Sequence, residues 1–213
     1  NDFFGGLLRE RRAAPLEDII SDVATAEVND EMLNEAEMLS MLQQFLVAGN
    51  ETTTKLLTNL MHRLAIDEGL EGRLRNNPSE IDNFIEEGLR YEAPVGGLFR
   101  SAKMDTEVNG TKIAEGEHIW VIFAAANRDP EIFADPDSFS LDRENSREHL
   151  AFGHGEHYCI GALLARSEAK IAIEKLLESI EDLRLHETRN KFEYEESFVL
   201  RGLKELHVTY QAR

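Results

Sequence analysis

The sequence predicts a mainly α-helical protein with small β-sheets, an α+β fold, and three observations carry that prediction. Apolar residues recur at helical spacing over long stretches near 34–66 and 159–180. Short runs of β-branched and aromatic residues bounded by turn signals fall between about 98 and 123 and again near the C-terminus. No internal repeat, low-complexity tract or linker interrupts the 213 residues, so the chain is expected to be a portion of one domain.

Composition narrows the function. The chain is 42% hydrophobic and 30% charged, the balance of a soluble globular protein. With 41 acidic against 23 basic residues the net charge is −18, and no lysine or arginine cluster is long enough to track a phosphate backbone, which argues against nucleic acid. A single cysteine cannot form an internal disulfide, so a reducing, cytoplasmic setting is expected. No run reaches the 18 or so apolar residues of a membrane span. The opening NDFFGGLLRERR reads as the middle of a helix, which suggests the back portion of a longer chain.

The elements follow in order. Pro15 is placed to open a helix bearing Leu16, Ile19, Ile20 and Val23, and a polar loop is expected over 28–33. Asn34 with Glu37 three residues on forms a capping box for a helix over about 34–66. Its middle, FLVAGNETTTKLL, holds Gly49 and three threonines, weak helix formers that helix propensity alone does not explain. Ser79 is placed to cap a helix over about 79–92, with Ile81, Phe84, Ile85 and Leu89 on one face. Asn109-Gly110 between β-branched residues predicts a hairpin, HIWVIF a buried strand, and the two Asp-Pro pairs of 127–145 an irregular coil. A last helix starts near Cys159 and runs to about 180, before a strand-rich tail ending in ELHVTY.

The stretch AFGHGEHYCIGALLAR, 151–166, holds the lone cysteine. A buried structural thiol is one reading. A zinc site using His149, His154, His157 and Cys159 is another, although zinc sites usually draw ligand pairs from separated segments. A cysteine nucleophile with a histidine base is a third. A fourth is an iron ligand: Gly153, Gly155 and Gly161 let backbone approach a large flat group, and a thiol at a helix start is favoured as thiolate.

Phe152, Gly155, His157, Cys159 and Gly161 match F-x-x-G-x-[HR]-x-C-x-G, and here the chain resembles the cytochrome P-450 family. Ala48-Gly49-Asn50-Glu51-Thr52 is similar to the family's [AG]-G-x-[DE]-T stretch, and Glu87 with Arg90 to its E-x-x-R. The motifs occur in the family's order along the whole chain. His207, where a proline is frequent, is a minor departure, and about half of a usual member would precede Asn1.

The resemblance implies haem b (iron protoporphyrin IX) with Cys159 as its iron ligand, Phe152 shielding the sulfur, and Gly153 and Gly161 admitting the ring. His157 and Arg100 would pair with haem propionates, and Ala48 would leave room for dioxygen. Thr52 and Glu51 would deliver protons to the distal oxygen, from a helix distorted at Thr52. Arg143 would join Glu87 and Arg90 in a buried structural network. By the same alignment Val47, Gly96, Gly97, Leu98, Val199 and Leu200 would line a substrate pocket.

The implied activity is that of a haem-thiolate monooxygenase placing one atom of O2 in a small apolar organic substrate. Electrons would come from a ferredoxin or flavodoxin and its reductase, with Arg73, Arg75, Arg147 and Arg166 as docking contacts. The alternatives are an incomplete chain that holds haem weakly, a haem-binding sensor or electron carrier, and a zinc enzyme.

Overall fold

A computed structural model describes residues 2–213. They divide into two compact units, one ending at Glu51 and the other running from Thr52 to Arg213.

The first unit is built on α1 (Asp2–Ala13), α2 (Ile19–Ala24), a short ribbon of β1 (Glu27–Val28) and β2 (Glu31–Met32), and the first half of α3 (Glu35–Ile66). Its core is Leu8, Val23, Ala24, Met38 and Leu42. Pro15 does not open α2 as expected. Asp18 does, its carboxylate accepting the Ser21 N–H at 2.8 Å, and Leu16 and Ile19 lie exposed. A side-chain acceptor offsets an orphan N–H, which proline's ring geometry alone does not. The loop expected over 28–33 is in part a hairpin, with Asn29 and Asp30 in the left-handed region. The capping box of α3 closes reciprocally, Asn34 N to Glu37 at 2.9 Å and Glu37 N to Asn34 at 3.0 Å.

The second unit packs the rest of α3 with α4 (Leu70–Asn76), α5 (Ile81–Tyr91) and α7 (Ala162–Ser179). Leu56, Leu60, Leu74, Phe84, Leu89 and Ile173 fill its core. Ser79 does not cap α5, because Pro78–Glu80 forms a 3₁₀ turn that runs straight into the helix, without a side-chain cap. From Phe84 to Arg90 every residue of α5 is buried, so the helix threads the core instead of lying on it.

Between α5 and α7 lie β3 (Leu98–Ser101), β4 (Thr106–Val108), β5 (Thr111–Ile113), β6 (His118–Val121) and the single turn α6 (Phe123–Ala126). They pair as two antiparallel ribbons, β3 with β6 and β4 with β5, and Asn109-Gly110 makes the β4–β5 turn at positive φ. The strand HIWVIF was expected to be buried and is not. Trp120, Val121 and Ile122 are exposed, since a two-stranded ribbon buries a face only where another layer covers it. β7 (Ile180–Leu185) pairs with β8 (Val208–Ala212) and closes the chain.

Candidate functional site

The cysteine loop is shaped by backbone first. The chain leaves the coil, turns at Gly153 and Gly155 with φ of 72° and 70°, and makes a 3₁₀ turn over Gly155–His157. Residues with a Cβ rarely adopt those angles, so these glycines are required by the turn. The Cys159 N–H then donates to the Phe152 carbonyl at 2.9 Å, closing the loop on itself. The helix α7 begins at Ala162, three residues later than expected, and Gly161 caps it.

The thiol of Cys159 is exposed, and so are the apolar side chains around it: Tyr158, Ile160, Leu163 and Leu164, with Ile160 and Leu163 at 87% and 80%. Aliphatic side chains at such exposure, flanking a sulfur at a helix N-terminus, suit a flat apolar ring carrying a soft metal. A Cβ on Gly161 would stand 3.8 Å from the sulfur, an ordinary contact distance. The donor chemistry and the bare apolar surroundings therefore fit a haem.

The zinc reading fares worse. Among the described residues no group of three His, Cys, Asp or Glu side chains is arranged to hold a metal ion. Both nitrogens of His149 are engaged, Nδ1 accepting the Ala151 N–H at 3.2 Å and Nε2 lying 3.1 Å from Glu86 Oε2. His154 and His157 are exposed on the loop.

Two buried charge networks support the loop. In the first, Arg90 grips Glu87 with both ends of its fork at 2.7 Å, and Arg143 Nε lies 3.1 Å from both oxygens of the same carboxylate. The remaining donors of these arginines meet carbonyls of the coil, Asn127, Pro136 and Ser138 for Arg90 and Ala134, Asp135 and Ser138 for Arg143. The coil thus holds its irregular path because two guanidinium groups satisfy its carbonyls.

The second network was not foreseen. Glu86 lies beside Glu87 on α5, and Arg166 of α7 grips it at 2.6 and 3.0 Å while His149 binds from the coil. Burial alone would raise the Glu86 pKa, but hydrogen bonds from His149 and Arg166 outweigh it and hold the carboxyl at about 2. No sequence signal pointed here, since adjacent glutamates on an amphipathic helix can share its solvent face and both partners lie far along the chain.

Arg166, named from the sequence as a docking contact, is thus engaged with Glu86. Arg73 is likewise taken up by Glu80 and Asp142, and Arg75 by Glu71 and the Ile180 carbonyl. Of the four, Arg147 has the most exposed side chain at 70%, with Glu86 at 3.8 Å.

The other expected site residues are spread over three elements. Val47, Ala48 and Glu51 are exposed on α3 and Thr52 is half-buried there. The helix stays α-helical from Ala48 through Thr52 instead of being distorted, as continuous i to i−4 bonding tolerates threonine at a small cost. Arg100 is exposed on β3, its Nη1 donating to the Phe99 carbonyl at 2.9 Å. The tail reaches β3's approach: Val95 bridges Leu200, and Gly96 N donates to Val199 O at 2.8 Å. Leu98 is exposed, whereas Gly97 is buried, and a Cβ there would meet Val121 O at 2.6 Å. The close passage of β6 thus explains Gly97 without a pocket.

A helix-rich fold with small sheets, presenting one cysteine on a glycine-turned loop ahead of a long helix, defines a haem-thiolate class of protein. The chain belongs to the cytochrome P-450 family, whose model matches residues 6–208. It is 40% identical over 208 residues to cytochrome P-450 107B1 of Saccharopolyspora erythraea, covering 97% of this chain and 51% of that protein. It is 37% identical over 185 residues to the steroid C26-monooxygenase of Mycobacterium tuberculosis, covering 87% and 46%. The substrate-free structure of cytochrome P-450 CYP150A6 from Mycobacterium marinum superposes with a TM-score of 0.94 at 40% identity, over 99% of this chain and 54% of that one. The chain spans about half the length of these relatives. No described helix is long and apolar enough to cross a membrane.

Proposed function

We propose that this chain is the haem-ligating half of a monooxygenase that inserts one atom of O2 into a small apolar organic molecule. The observation that carries the reading is the placement of Cys159, an exposed cysteine whose backbone N–H is held by the Phe152 carbonyl and whose sequence neighbours Tyr158, Ile160, Leu163 and Leu164 are exposed apolar residues. Two relatives bear monooxygenase names, one for steroids and one called PikC. Haem b fits the donor set, since one thiolate is the protein's ligand to a thiolate-ligated porphyrin.

The bound haem supplies dioxygen binding and cleavage of the O–O bond. The chain's residues supply the surroundings. Cys159 Sγ would hold the iron and would supply it with electron density. Phe152, whose carbonyl holds the cysteine N–H, would lie beside the sulfur once haem is bound. Arg100 and His157, exposed on β3 and the loop, pair with the acidic edge of the ring. Thr52 Oγ1 and the Glu51 carboxylate hold and pass protons from α3. Gly96, Leu98, Val199 and Leu200 would contact the organic substrate. A ferredoxin or flavodoxin supplies electrons, and Arg147 is the docking contact retained from the sequence reading.

The reading is tested by the reduced carbon monoxide complex of the haem-loaded protein. The wild type is expected to give the red-shifted band of thiolate ligation, and Cys159→Ala to lose it. Retention of that band in Cys159→Ala, or zinc in place of haem in the purified wild type, overturns the reading. A sensor or electron carrier would give the band and no oxygenated product.

A further inference from the structure

The cysteine loop rests on the core through the packing of Ala151 and Phe152 and through the Leu150 N–H, which donates to Asn127 Oδ1 at 2.6 Å, and both of its flanks are tied to one carboxylate, Glu86. At the loop's entrance His149 accepts the Ala151 N–H on Nδ1, which fixes the proton on Nε2 and makes that nitrogen the donor to Glu86 at 3.1 Å. Beyond the loop, Arg166 binds the same carboxylate at 2.6 and 3.0 Å, reaches the Tyr158 hydroxyl at 3.3 Å and lies 4.5 Å over the Phe152 ring. The His149 ring lies 5.9 Å from Phe152 on another side. Phe152 is the residue whose carbonyl holds the Cys159 N–H. The exposed Arg147 adds a longer contact to the same carboxylate at 3.8 Å. The triad is thus a closed link from α5 through both ends of the loop to the sulfur.

We infer that Glu86, His149 and Arg166 form a positioning clamp that sets where Cys159 Sγ stands, and so determines how tightly and with what ligation the loop holds haem. This rests on the function proposed above. The three are positioning residues, since each acts through Phe152, Tyr158 or Ala151 and none reaches the sulfur. The clamp differs from the Glu87–Arg90–Arg143 network, whose bonds go to the coil before the loop. Outer-shell partners of metal ligands typically alter affinity or activity by about 10–100-fold when removed.

The test uses the haem-loaded protein and reads two quantities: the fraction of the reduced carbon monoxide complex bearing the thiolate band, and the rate at which haem passes to an excess of apo-globin. His149→Phe keeps the bulk and loses both hydrogen bonds, while His149→Gln keeps the reach to Glu86. Arg166→Lys keeps the charge and loses the fork. His149→Phe and Arg166→Lys are expected to lose haem about tenfold faster and shift part of the complex away from the thiolate band, with His149→Gln intermediate. The clamp is refuted if folded Arg166→Lys and His149→Phe keep the wild-type band and haem-loss rate. If His149→Phe does not fold, Arg166→Lys against His149→Gln decides on the same readouts. A wild type without the thiolate band would instead sink the functional reading.

Discussion

At the residue scale, neighbouring side chains of one type have opposite fates. Glu86 and Glu87 are both buried on α5, one tied to the cysteine loop and the other to the coil. Because Glu86 is held at about 2 against a usual 4.5, its folded form gains stability that is complete above about 4.5 and lost as pH falls toward 2. Melting temperatures of wild type and Glu86→Gln should therefore differ most near neutrality and converge in acid; a gap independent of pH would contradict the assignment. Thr52 lies on an unbroken helix, so a relay there must come from its hydroxyl and not from an opened backbone. Thr52→Ala should uncouple oxygen consumption from product formation in the active protein, and unchanged coupling would count against the relay.

At the element scale, α5 has no side-chain cap and is buried along its second half, so tertiary bonds, not local signals, secure it. Arg90 is 1% exposed and spends all its donors on Glu87 and three carbonyls. Arg90→Leu would take this donor from the Asn127 and Pro136 carbonyls and leave buried Glu87 to Arg143 and the Ser140 N–H, and should cost about 3–5 kcal/mol. At about 2–4 °C per kcal/mol this is a fall of roughly 6–20 °C in thermal denaturation. A change within a degree or two would mean that Arg143 alone holds Glu87. The capping box of α3 and the Asn109-Gly110 turn lie at the other extreme, since each partner is within three residues of the next. Those were legible from sequence, whereas the Asp18 cap of α2 was displaced in the reading by the more conspicuous Pro15.

At the scale of the whole molecule, a net charge of −18 repels itself, and most arginines are paired within the fold. Screening shortens from about 30 Å at 0.01 M salt to about 8 Å at 0.15 M. The melting temperature should therefore rise over that range, whereas a fall would show that the exposed ion pairs outweigh the repulsion.

The sequence by itself determined what depends on near neighbours and on one specific spacing: the long α3, the glycine turns of the cysteine loop, the β4–β5 hairpin and membership of the cytochrome P-450 family. The tertiary structure alone decided which charges are consumed and which faces stay bare. Glu86 meets His149 across 63 positions and Arg166 across 80, distances over which no local periodicity carries information. The same holds for β6, whose composition matches a buried strand but whose only partner among the described residues is β3. Burial belongs to the packing of layers, and a strand's residues cannot specify whether a further layer covers them.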